Sequence, residues 1–507
     1  MVSVAEMTKV DGTSPGVKAR VVGSLRRHRV FAAAFAVGAL LRVITMLGYG
    51  PAMWFNDSYE YVSVALHPRP HAIRPDGYSF WLTLLKPFHS FTLVVFTQHL
   101  MGLTTAVLVY VLLRRKFGLP AWGATLAAAP VLFDAYQIQL EQLVMSDAMF
   151  TLLVVGVITI VLWNRRMSWK LGIVVGLLLA LTALTRSIGL PILALVVVYL
   201  LVKRTGWKPI AAVVTACAIP VLSYMAWFAT NFGNFAMTNS DGLILYMRVS
   251  VFADCAKMKI DPRKELDLAL MCITDPVEKR ENYSQWFLWG EGRGETLHTW
   301  GGKKFDEFKN TTASQFAKRA IISQPGDYLG VVARDFLRAF HWDRPVFPDA
   351  RTYDLYEFKP YYDLDENGQI KRLPRWPTLE GRADTDAFAY EQGPAETRIV
   401  HPWADIMSAY QNVFYLRGIM LGGILLIGLY GVAVRWRKLG GPVVLPWLGA
   451  VGLILAPAAT AEFDYRYLLP AVPLACMAAG IALRHGIRRG GITPTSSSAS
   501  EPTTVRA

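Results

Sequence analysis

Ten apolar runs, most of them about as long as a membrane-spanning helix, constrain the fold of this chain more than any other feature. A helix needs about 20 apolar residues to cross the hydrocarbon layer of a bilayer. Only 18% of the 507 residues are charged, against roughly 25% in soluble domains. The expected solvent for much of the chain is therefore the bilayer. The runs lie near residues 31–50, 92–113, 119–138, 146–163, 171–186, 188–202, 209–230, 413–434, 441–460 and 466–483.

Lysine and arginine are concentrated in every second link between these runs. Cytoplasmic links carry an excess of positive charge, so the pattern predicts ten crossings with both termini in the cytoplasm. These links also account for the net charge of +14. We expect no nucleic-acid partner, because no basic domain with interleaved aromatic residues is present. The basic positions are Arg26, Arg27, Arg29, Arg114, Arg115, Lys116, Arg165, Arg166, Lys170, Lys203, Arg204, Lys208, Arg435, Arg437, Lys438, Arg484, Arg488 and Arg489.

The same alternation places two long segments outside the cell membrane. The longer one carries six tryptophans among many charges and is expected to fold. The predicted fold class is an all-α polytopic membrane protein of about ten transmembrane helices, with an extracytoplasmic mixed loop domain. The predicted divisions are a cytoplasmic tail (1–29), a transmembrane module (30–230) with its first outer loop (50–90), the loop domain (231–411), C-terminal transmembrane helices (412–485) and a disordered cytoplasmic tail (486–507).

Two of the four cysteines fall in the long outer segment. Cys255 and Cys272 form a disulfide if that segment faces an oxidising compartment, and a pair of free thiols is the alternative. Cys217 and Cys476 lie inside apolar runs and are expected to be unreactive core thiols.

Apolar residues also recur at helical spacing in the outer segment, directly after Pro325 and Gly326. Arg334, Asp335 and Arg338 are expected on the opposite face, so the pattern predicts an amphipathic helix. Such a helix either lies on the membrane surface or packs into the core of the outer segment.

The first outer loop carries two carboxylates directly after the first apolar run. Asp57 and Glu60 are three residues apart, so a helical turn places both on one face. Carboxylates close to an apolar boundary have raised pKa values and act as general bases. The alternative is that Asp57 caps the backbone of a solvated helix, and the residues alone favour this cap.

A turn follows in the same loop, marked by Pro75 and Gly77. His71 and Arg74 precede it and are candidates for binding an anionic or hydroxyl-rich ligand. Tyr78 follows it and is either part of that site or an anchor at the membrane interface.

Three further candidates stand at outer helix ends. Asp147 opens the fourth run, Arg186 lies between the fifth and sixth, and Arg466 opens the last. A guanidinium group matches phosphate oxygens in a bidentate manner, so the two arginines are candidates for a phosphate site. The alternative for each is that it extends to lipid head groups.

The order of these pieces resembles the GT-C superfamily of polytopic glycosyltransferases, which includes the protein O-mannosyltransferases and the lipid A aminoarabinose transferase. The similarity covers roughly residues 30–230 and 410–485. The displaced acid at Glu60 departs from the Asp-Glu pair of the mannosyltransferases, and the outer segment has no counterpart. The matching residues are Asn56-Asp57 through Tyr61, Arg74-Pro75-Asp76-Gly77-Tyr78, Ser146-Asp147, Ala183 to Arg186, and Arg466-Tyr467 with Pro470 and Pro473.

The resemblance implies an inverting transfer of a hexose or pentose from a polyprenyl-phosphate donor to an extracytoplasmic glycan, lipid or protein. Asp57 would be the general base, and the arginines would stabilise the departing lipid phosphate. Some similar proteins bind a divalent cation near the first loop, although no metal-ligand spacing occurs in this sequence. The implied site consists of catalytic Asp57 and Glu60, substrate-binding His71, Arg74, Tyr78 and Asp147, and donor-phosphate-binding Arg186, Arg466 and Tyr467.

Two other classes of function compete with this interpretation. A transporter or lipid flippase typically shows paired inverted repeats and broken helices near the midplane, and neither pattern is present in the sequence. A non-catalytic assembly protein does not need acidic and basic groups at four separate helix ends.

The high content of alanine, valine, arginine and glycine is typical of a GC-rich bacterium, so we expect a bacterial plasma membrane with mannose or arabinofuranose donors.

Overall fold

The computed structural model describes residues 28–164, 166–290, 297 and 303–489, with side chains described as far as Arg484. Most of the predicted disordered tail (490–507) and most of the predicted amino-terminal tail lie outside the described residues, whereas residues 486–489, predicted as disordered, are helical. Three basic positions of the topology pattern, Arg26, Arg27 and Arg165, also lie outside the described residues.

Helices make up nearly all of the regular structure in these described residues. The strands β1 (Tyr49–Gly50) and β2 (Arg398–Ile399) pair antiparallel. The helices are α1 (Arg29–Gly48), α2 (Ser58–Leu66), α3 (Gly77–Leu85), α4 (Phe91–Val111), α5 (Ala121–Phe133), α6 (Ala135–Gln142), α7 (Asp147–Trp163), α8 (Trp169–Thr185), α9 (Gly189–Val202), α10 (Trp207–Phe232), α11 (Asp241–Ser250), α12 (Cys255–Met258), α13 (Leu266–Leu270), α14 (Trp286–Trp289), α15 (Glu307–Ser323), α16 (Pro325–Arg338), α17 (Ala350–Asp354), α18 (Ala383–Glu391), α19 (Trp403–Val413), α20 (Gly418–Ala433), α21 (Val444–Thr460), α22 (Tyr465–Leu468) and α23 (Ala471–Arg489).

Each of the ten predicted apolar runs contains a helix. Five helical segments in the described residues are long and apolar enough to cross a membrane, and they contain α1, α4, α10, α21 and α23. The bent pair of α19 and α20, with an angle of 56°, makes a sixth if it counts as one span. The remaining four, α5, α7, α8 and α9, are apolar but shorter, at 13, 17, 17 and 14 residues. The molecule is a helical polytopic membrane protein, and the number of ten crossings stays a prediction.

Helices α8 and α10 approach each other closely at two glycines of α8. A Cβ atom on Gly176 would lie 2.4 Å from the carbonyl oxygen of Val213, and one on Gly172 would lie 2.7 Å from that of Pro209. Small residues of this kind let helix backbones approach in a membrane. The contact fixes the position of α8, whose carboxyl end carries Arg186.

A buried ion pair joins the amino-terminal helices. Arg42 on α1 donates from Nε to Glu141 Oε2 over 2.7 Å and from Nη2 to Oε1 over 2.9 Å. His99 on α4 contacts the same carboxylate at 3.0 Å. Both charged side chains are almost fully buried, and a charge at such depth is costly unless paired. This pairing sets the positions of α1, α4 and α6 beneath the first outer loop.

The long outer segment is helical in its described residues and packs in two places. Helices α11, α15 and α16 enclose an apolar cluster that includes Leu243, Phe316 and Val331. Helix α16 also contacts α21, where the Tyr328 hydroxyl donates to the Ala459 carbonyl oxygen over 3.0 Å. Cys255 and Cys272 are joined by a disulfide next to this cluster.

The predicted amphipathic helix is α16, and one of its residues is placed differently from the expectation. Asp335 was expected on the polar face but is buried, and it accepts a hydrogen bond from Arg248 over 2.8 Å. The free-energy cost of burying Asp335 and Arg248 is offset because their opposite charges are paired. Val331 packs inside the outer segment, while Leu329 and Leu337 remain exposed.

The second part of the outer segment covers the first outer loop. Tyr356, Ala383 and Tyr390 join an apolar cluster with Trp54 and Tyr59. The first loop therefore packs against the membrane helices on one side and against Tyr356 and α18 on the other.

Candidate functional site

Asp57 precedes α2, but its side chain does not cap that helix. No capping hydrogen bond is made by its carboxylate. The turn is closed instead by Ser58, whose hydroxyl accepts from the Phe55 backbone N–H over 2.9 Å. The cap that the residues alone favoured is therefore wrong, and the carboxylate of Asp57 is available for other partners.

Two arginines from distant parts of the chain bind the Asp57 carboxylate. Arg74 Nη2 lies 3.1 Å from Oδ1, and Arg466 Nη1 lies 2.9 Å from Oδ2. Burial alone raises the pKa of Asp57, but the charges of Arg74 and Arg466 outweigh it and hold the pKa well below its usual range. The expected raised pKa is therefore wrong for the arrangement seen here, because both oxygens are neutralised by guanidinium groups.

Arg466 is held in place by its own surroundings at the start of α22. Asp464 accepts from the Arg466 backbone N–H over 3.1 Å and from the Tyr356 hydroxyl over 2.7 Å. Burial raises the pKa of Asp464, and the charge of Arg466 opposes this rise. The guanidinium carbon of Arg466 also lies 4.7 Å from the centroid of the Phe55 ring. These contacts aim the guanidinium group at Asp57.

A second acid–arginine pair lies beside the first. Arg186, which follows α8, forms an ion pair with Asp147 at the start of α7. The ring of Tyr467 links the two pairs, since its centroid lies 5.0 Å from the guanidinium carbon of Arg186 and 5.1 Å from that of Arg466. The structure therefore brings the predicted residues of the donor-phosphate site together, with Asp147 in contact with them.

Two buried polar atoms of this site have no hydrogen-bond partner among the described residues. They are Oδ2 of Asp147 and Nε of Arg466. Buried polar groups without partners are uncommon in folded proteins. One acceptor and one donor with unused capacity are what a polar ligand at this position requires.

Glu60 and His71 form a neighbouring pair that does not contact Asp57 directly. Glu60 Oε2 lies 3.2 Å from His71 Nε2. The backbone N–H of His71 donates to Asp76 Oδ2 over 3.1 Å, and the Tyr224 hydroxyl donates to the same oxygen over 3.0 Å. Burial lowers the pKa of His71 and raises that of Asp76 to about 7. These groups support the loop that carries Arg74.

Tyr78 is placed in the interior instead of in a substrate-binding position. Its side chain is fully buried, and its hydroxyl donates to Gln98 Oε1 over 2.6 Å. Tyr61 is closer to the charged groups, because Arg74 lies over its ring at 5.2 Å and its hydroxyl lies 3.1 Å from Ser146 Oγ. Tyr61 follows Asp57 by four residues. This spacing is typical of residues on one helix face, and it is the sequence feature that predicts the position of Tyr61 near Asp57.

A cavity of about 1290 Å³ is lined by Phe55 and Asn56, the two residues that precede Asp57, but not by Asp57 itself. One wall comes from the first outer loop and the other from the outer segment, so the two long segments together build it. Aromatic and charged side chains share the lining. They include Trp54, Phe55, Asn56, Tyr59, Trp376 and Glu396.

The surroundings of Asp57 do not fit a divalent cation. Both carboxylate oxygens face guanidinium groups, and a cation takes oxygen ligands in a site of negative charge. No group of three or more histidine, cysteine or acidic side chains with metal-binding geometry occurs among the described residues. We derive no catalytic step through a metal.

No protein-family model matches the chain, and no curated protein matches it in sequence. Among solved structures it is similar to the Archaeoglobus fulgidus oligosaccharyltransferase AglB in complex with an inhibitory peptide and a dolichol-phosphate. That similarity has 13% identity and a TM-score of 0.42 over 92% of this chain and 52% of the other, so the chain spans about half of AglB. It is also similar to ArnT from Cupriavidus metallidurans bound to undecaprenyl phosphate, at 12% identity and a TM-score of 0.34 over 93% and 79% of the two chains.

Proposed function

We propose that this chain is a membrane glycosyltransferase that moves a sugar from a polyprenyl-phosphate donor to an acceptor on the extracytoplasmic side. The observation that carries the proposal is the meeting of Arg74, Arg186 and Arg466 around two carboxylates. These arginines come from three separate parts of the chain. Separate structural roles for one loop residue and two helix-end residues do not require them to meet in one place.

The donor phosphate would bind the guanidinium groups that now hold Asp57. Arginine binds phosphate oxygens in a bidentate manner, with charge-assisted hydrogen bonds. Nε of Arg466 makes no hydrogen bond, although it lies 3.4 Å from Asp464 Oδ2, and it supplies a further donor on the same group. The lipid tail would lie in the bilayer beside the apolar helices, which explains why a phosphate site stands at their ends.

Donor binding would also change the basicity of Asp57. The two arginines hold the pKa of Asp57 low in the unliganded arrangement, so this carboxylate is a weak base there. When phosphate oxygens take over these guanidinium groups, burial becomes the dominant influence and the pKa of Asp57 rises. The site would therefore generate its base when the donor is present.

The transfer step follows from this arrangement. The oxygen of an acceptor hydroxyl attacks the anomeric carbon, and its proton passes to the carboxylate of Asp57. The bond between the anomeric carbon and the phosphate oxygen breaks, and its electron pair stays on the departing polyprenyl phosphate. Arg466 and Arg186 stabilise the charge that develops on that oxygen. Attack on the face opposite to the leaving group inverts the anomeric configuration.

The cavity lined by Phe55, whose ring lies against Arg466, would admit the acceptor. Its volume of about 1290 Å³ exceeds the 300–1,000 Å³ usual for a small-molecule site. An extended glycan, lipid headgroup or peptide therefore fits better than a single small molecule. Trp54 and Tyr59 offer aromatic faces within the lining.

The decisive experiment measures discharge of the donor by the purified full-length protein in lipid nanodiscs. Polyprenyl-phosphate mannose and polyprenyl-phosphate arabinofuranose would each be supplied with extracted cell-envelope material as acceptor. We expect release of polyprenyl phosphate and appearance of labelled acceptor with the unaltered protein but not with Asp57→Asn. Glu366→Gln, which changes an exposed carboxylate, is the control and should retain activity.

Two results would contradict the proposal. Full transfer by Asp57→Asn would show that Asp57 is not the general base. Movement of intact donor across the bilayer, with no discharge of the sugar, would favour the lipid flippase instead.

A further inference from the structure

A second charged site lies at the opposite ends of the helices that carry the candidate active site. Helix α7 begins with Asp147 at the active site and ends at Trp163. Helix α9 begins at Gly189, close to Arg186, and is followed by Lys203. At about 1.5 Å per residue, each helix separates its two ends by roughly 20–25 Å. The second site is therefore distinct from the first, and the predicted ten-crossing topology assigns it to the other face of the membrane.

This second site is a pocket of about 370 Å³ lined by Lys116, Lys203 and Lys438, which we call the lysine pocket. Lys116 closes the π-helical turn that follows α4, Lys203 directly follows α9, and Lys438 lies in the link before α21. None of the side chains lining it is acidic. Apolar and aromatic residues form the rest of its wall. They include Phe117, Leu162, Tyr199, Val202, Leu439 and Val444.

The lysines retain hydrogen-bonding capacity toward the pocket. Lys203 donates to the carbonyl oxygens of Asn164, over 2.9 Å, and Val161, over 3.4 Å. Lys116 donates to the carbonyl oxygen of Trp163. An ammonium group has three donors, so these bonds leave donors unused. Lys116 and Lys203 stabilise the carboxyl end of α7, and this role accounts for their positions. It does not account for the position of Lys438.

The positive charges in the lysine pocket repel one another, and this repulsion affects the pKa of Lys203. Burial lowers the pKa of Lys203, and the neighbouring charge of Lys116 lowers it further. Among the described residues, no ion pair joins a carboxylate to any of the three lysines. An anion bound between them would relieve this repulsion.

The surroundings of the lysine pocket indicate that the anion belongs to a lipid. Trp163, Trp169, Trp207 and Trp436 are exposed at the same ends of the helices. Exposed tryptophans are typical of the level of the lipid head groups. A soluble anion would not need the apolar wall of the pocket, whereas the glycerol and acyl part of a phospholipid would cover it.

We propose that the lysine pocket binds the phosphate headgroup of an anionic phospholipid in the membrane leaflet opposite to the candidate active site. Lys116, Lys203 and Lys438 would contact the phosphate, and the adjacent apolar residues would contact the start of the acyl chains. Basic pockets between membrane helices are suited to such head groups. Because the pocket joins the ends of α4, α7, α9 and α21, a bound lipid would also hold these helices together.

The test uses the full-length protein in detergent with added phosphatidylglycerol or phosphatidylcholine, and it measures retained lipid by native mass spectrometry and the apparent melting temperature. We expect phosphatidylglycerol to be retained and to raise the melting temperature more than phosphatidylcholine does. The variant Lys116→Gln with Lys203→Gln and Lys438→Gln should lose this difference. Its control removes the same charge at the same helix ends outside the pocket, through Lys170→Gln, Lys208→Gln and Arg437→Gln.

A single substitution keeps the test decisive if the triple variant does not fold. Lys438 is exposed and caps no helix carbonyl, so Lys438→Gln should leave the fold intact. Loss of the contact between Lys438 and the phosphate should weaken binding by about fivefold, whereas Lys208→Gln, which lies outside the pocket, should weaken it much less. Equal phosphatidylglycerol affinity in Lys438→Gln and Lys208→Gln would overturn the proposal. Inorganic phosphate that reproduces the melting shift at millimolar concentration would also overturn it, because a soluble anion would then suffice.

Discussion

Asp57 and Arg466 stand 409 residues apart in the chain, yet their side chains meet at 2.9 Å between Oδ2 and Nη1. One residue belongs to the first outer loop and the other to the start of α22, so the transmembrane module and the C-terminal transmembrane helices meet at a single point. A carboxylate that neutralises an arginine of a phosphate site competes with the phosphate for it. This competition is the basis of the first prediction.

We expect Asp57→Asn to bind undecaprenyl phosphate more tightly than the unaltered protein does, although it transfers no sugar. The substitution removes the anion that occupies Arg74 and Arg466. One hydrogen bond between charged groups is worth about 1.5–3 kcal/mol, so the affinity should rise by about tenfold or more. Fluorescence titration with the lipid phosphate measures it. Weaker binding by Asp57→Asn would show that the carboxylate does not compete with the phosphate.

Arg186→Ala and Arg466→Ala should each weaken binding of the same lipid phosphate by about 10- to 100-fold, the loss of one or more charge-assisted hydrogen bonds. Arg466→Lys keeps the charge but loses the planar fork, so it should bind at an intermediate level. Arg263→Ala, an exposed position in the outer segment, serves as the control. Unchanged affinity in both alanine variants would show that Arg186 and Arg466 do not bind the phosphate.

Much of this site was predictable because its charged residues stand at helix ends. Ends of membrane helices alternate between two faces, and the pattern of lysine and arginine links assigned Asp57, Asp147, Arg186 and Arg466 to one of them. The sequence does not give the rotation of each helix about its own axis. For that reason Tyr78 was expected beside the substrate, whereas it points into the core.

Buried polar partners were the part of the fold that local patterns did not predict. Arg42 reads as a single charge in an apolar run, and Glu141 reads as a polar group at a helix end, but they form one ion pair. The contact of Tyr356 with Asp464 depends on how the outer segment packs on the membrane helices. Both contacts join residues that are far apart in the chain, and no local spacing encodes them.

The carboxyl group of Asp76 should make the protein less stable as the pH rises from about 4 to 7. Burial raises its pKa from the ordinary 3.8 to about 7 in the folded chain. The folded state therefore binds more protons than the unfolded state within this window, and stability falls by about 1.4 kcal/mol per pH unit from this group. Above pH 7 the carboxyl group is ionised in both the folded and the unfolded state, so the loss of stability from its burial reaches its full value.

Comparison of Asp76→Asn with the unaltered protein isolates this effect. Glu462, whose pKa is raised by burial to about 8, contributes a fall of the same sign in both proteins. The apparent melting temperature of Asp76→Asn should therefore decline less between pH 5 and pH 7. Glu366→Gln should follow the unaltered protein. Parallel melting curves for Asp76→Asn and the unaltered protein would show that this carboxyl is already ionised in the folded state.

Gly102 on α4 offers a test of the buried ion pair. A Cβ atom added there would lie 1.8 Å from Oε1 of Glu141, and Glu141 has no freedom to move because Arg42 and His99 hold its carboxylate. Gly102→Ala should therefore lower the free energy of unfolding by about 2 kcal/mol or more, since it disturbs a packed and charged position. Gly156 on α7 has no atom within 4 Å of the equivalent position, so Gly156→Ala is the matched control and should be neutral or slightly stabilising. Unfolding in mixed micelles of increasing denaturing detergent compares the two variants, and equal stability would mean that the Arg42–Glu141 pair does not hold the helices in place.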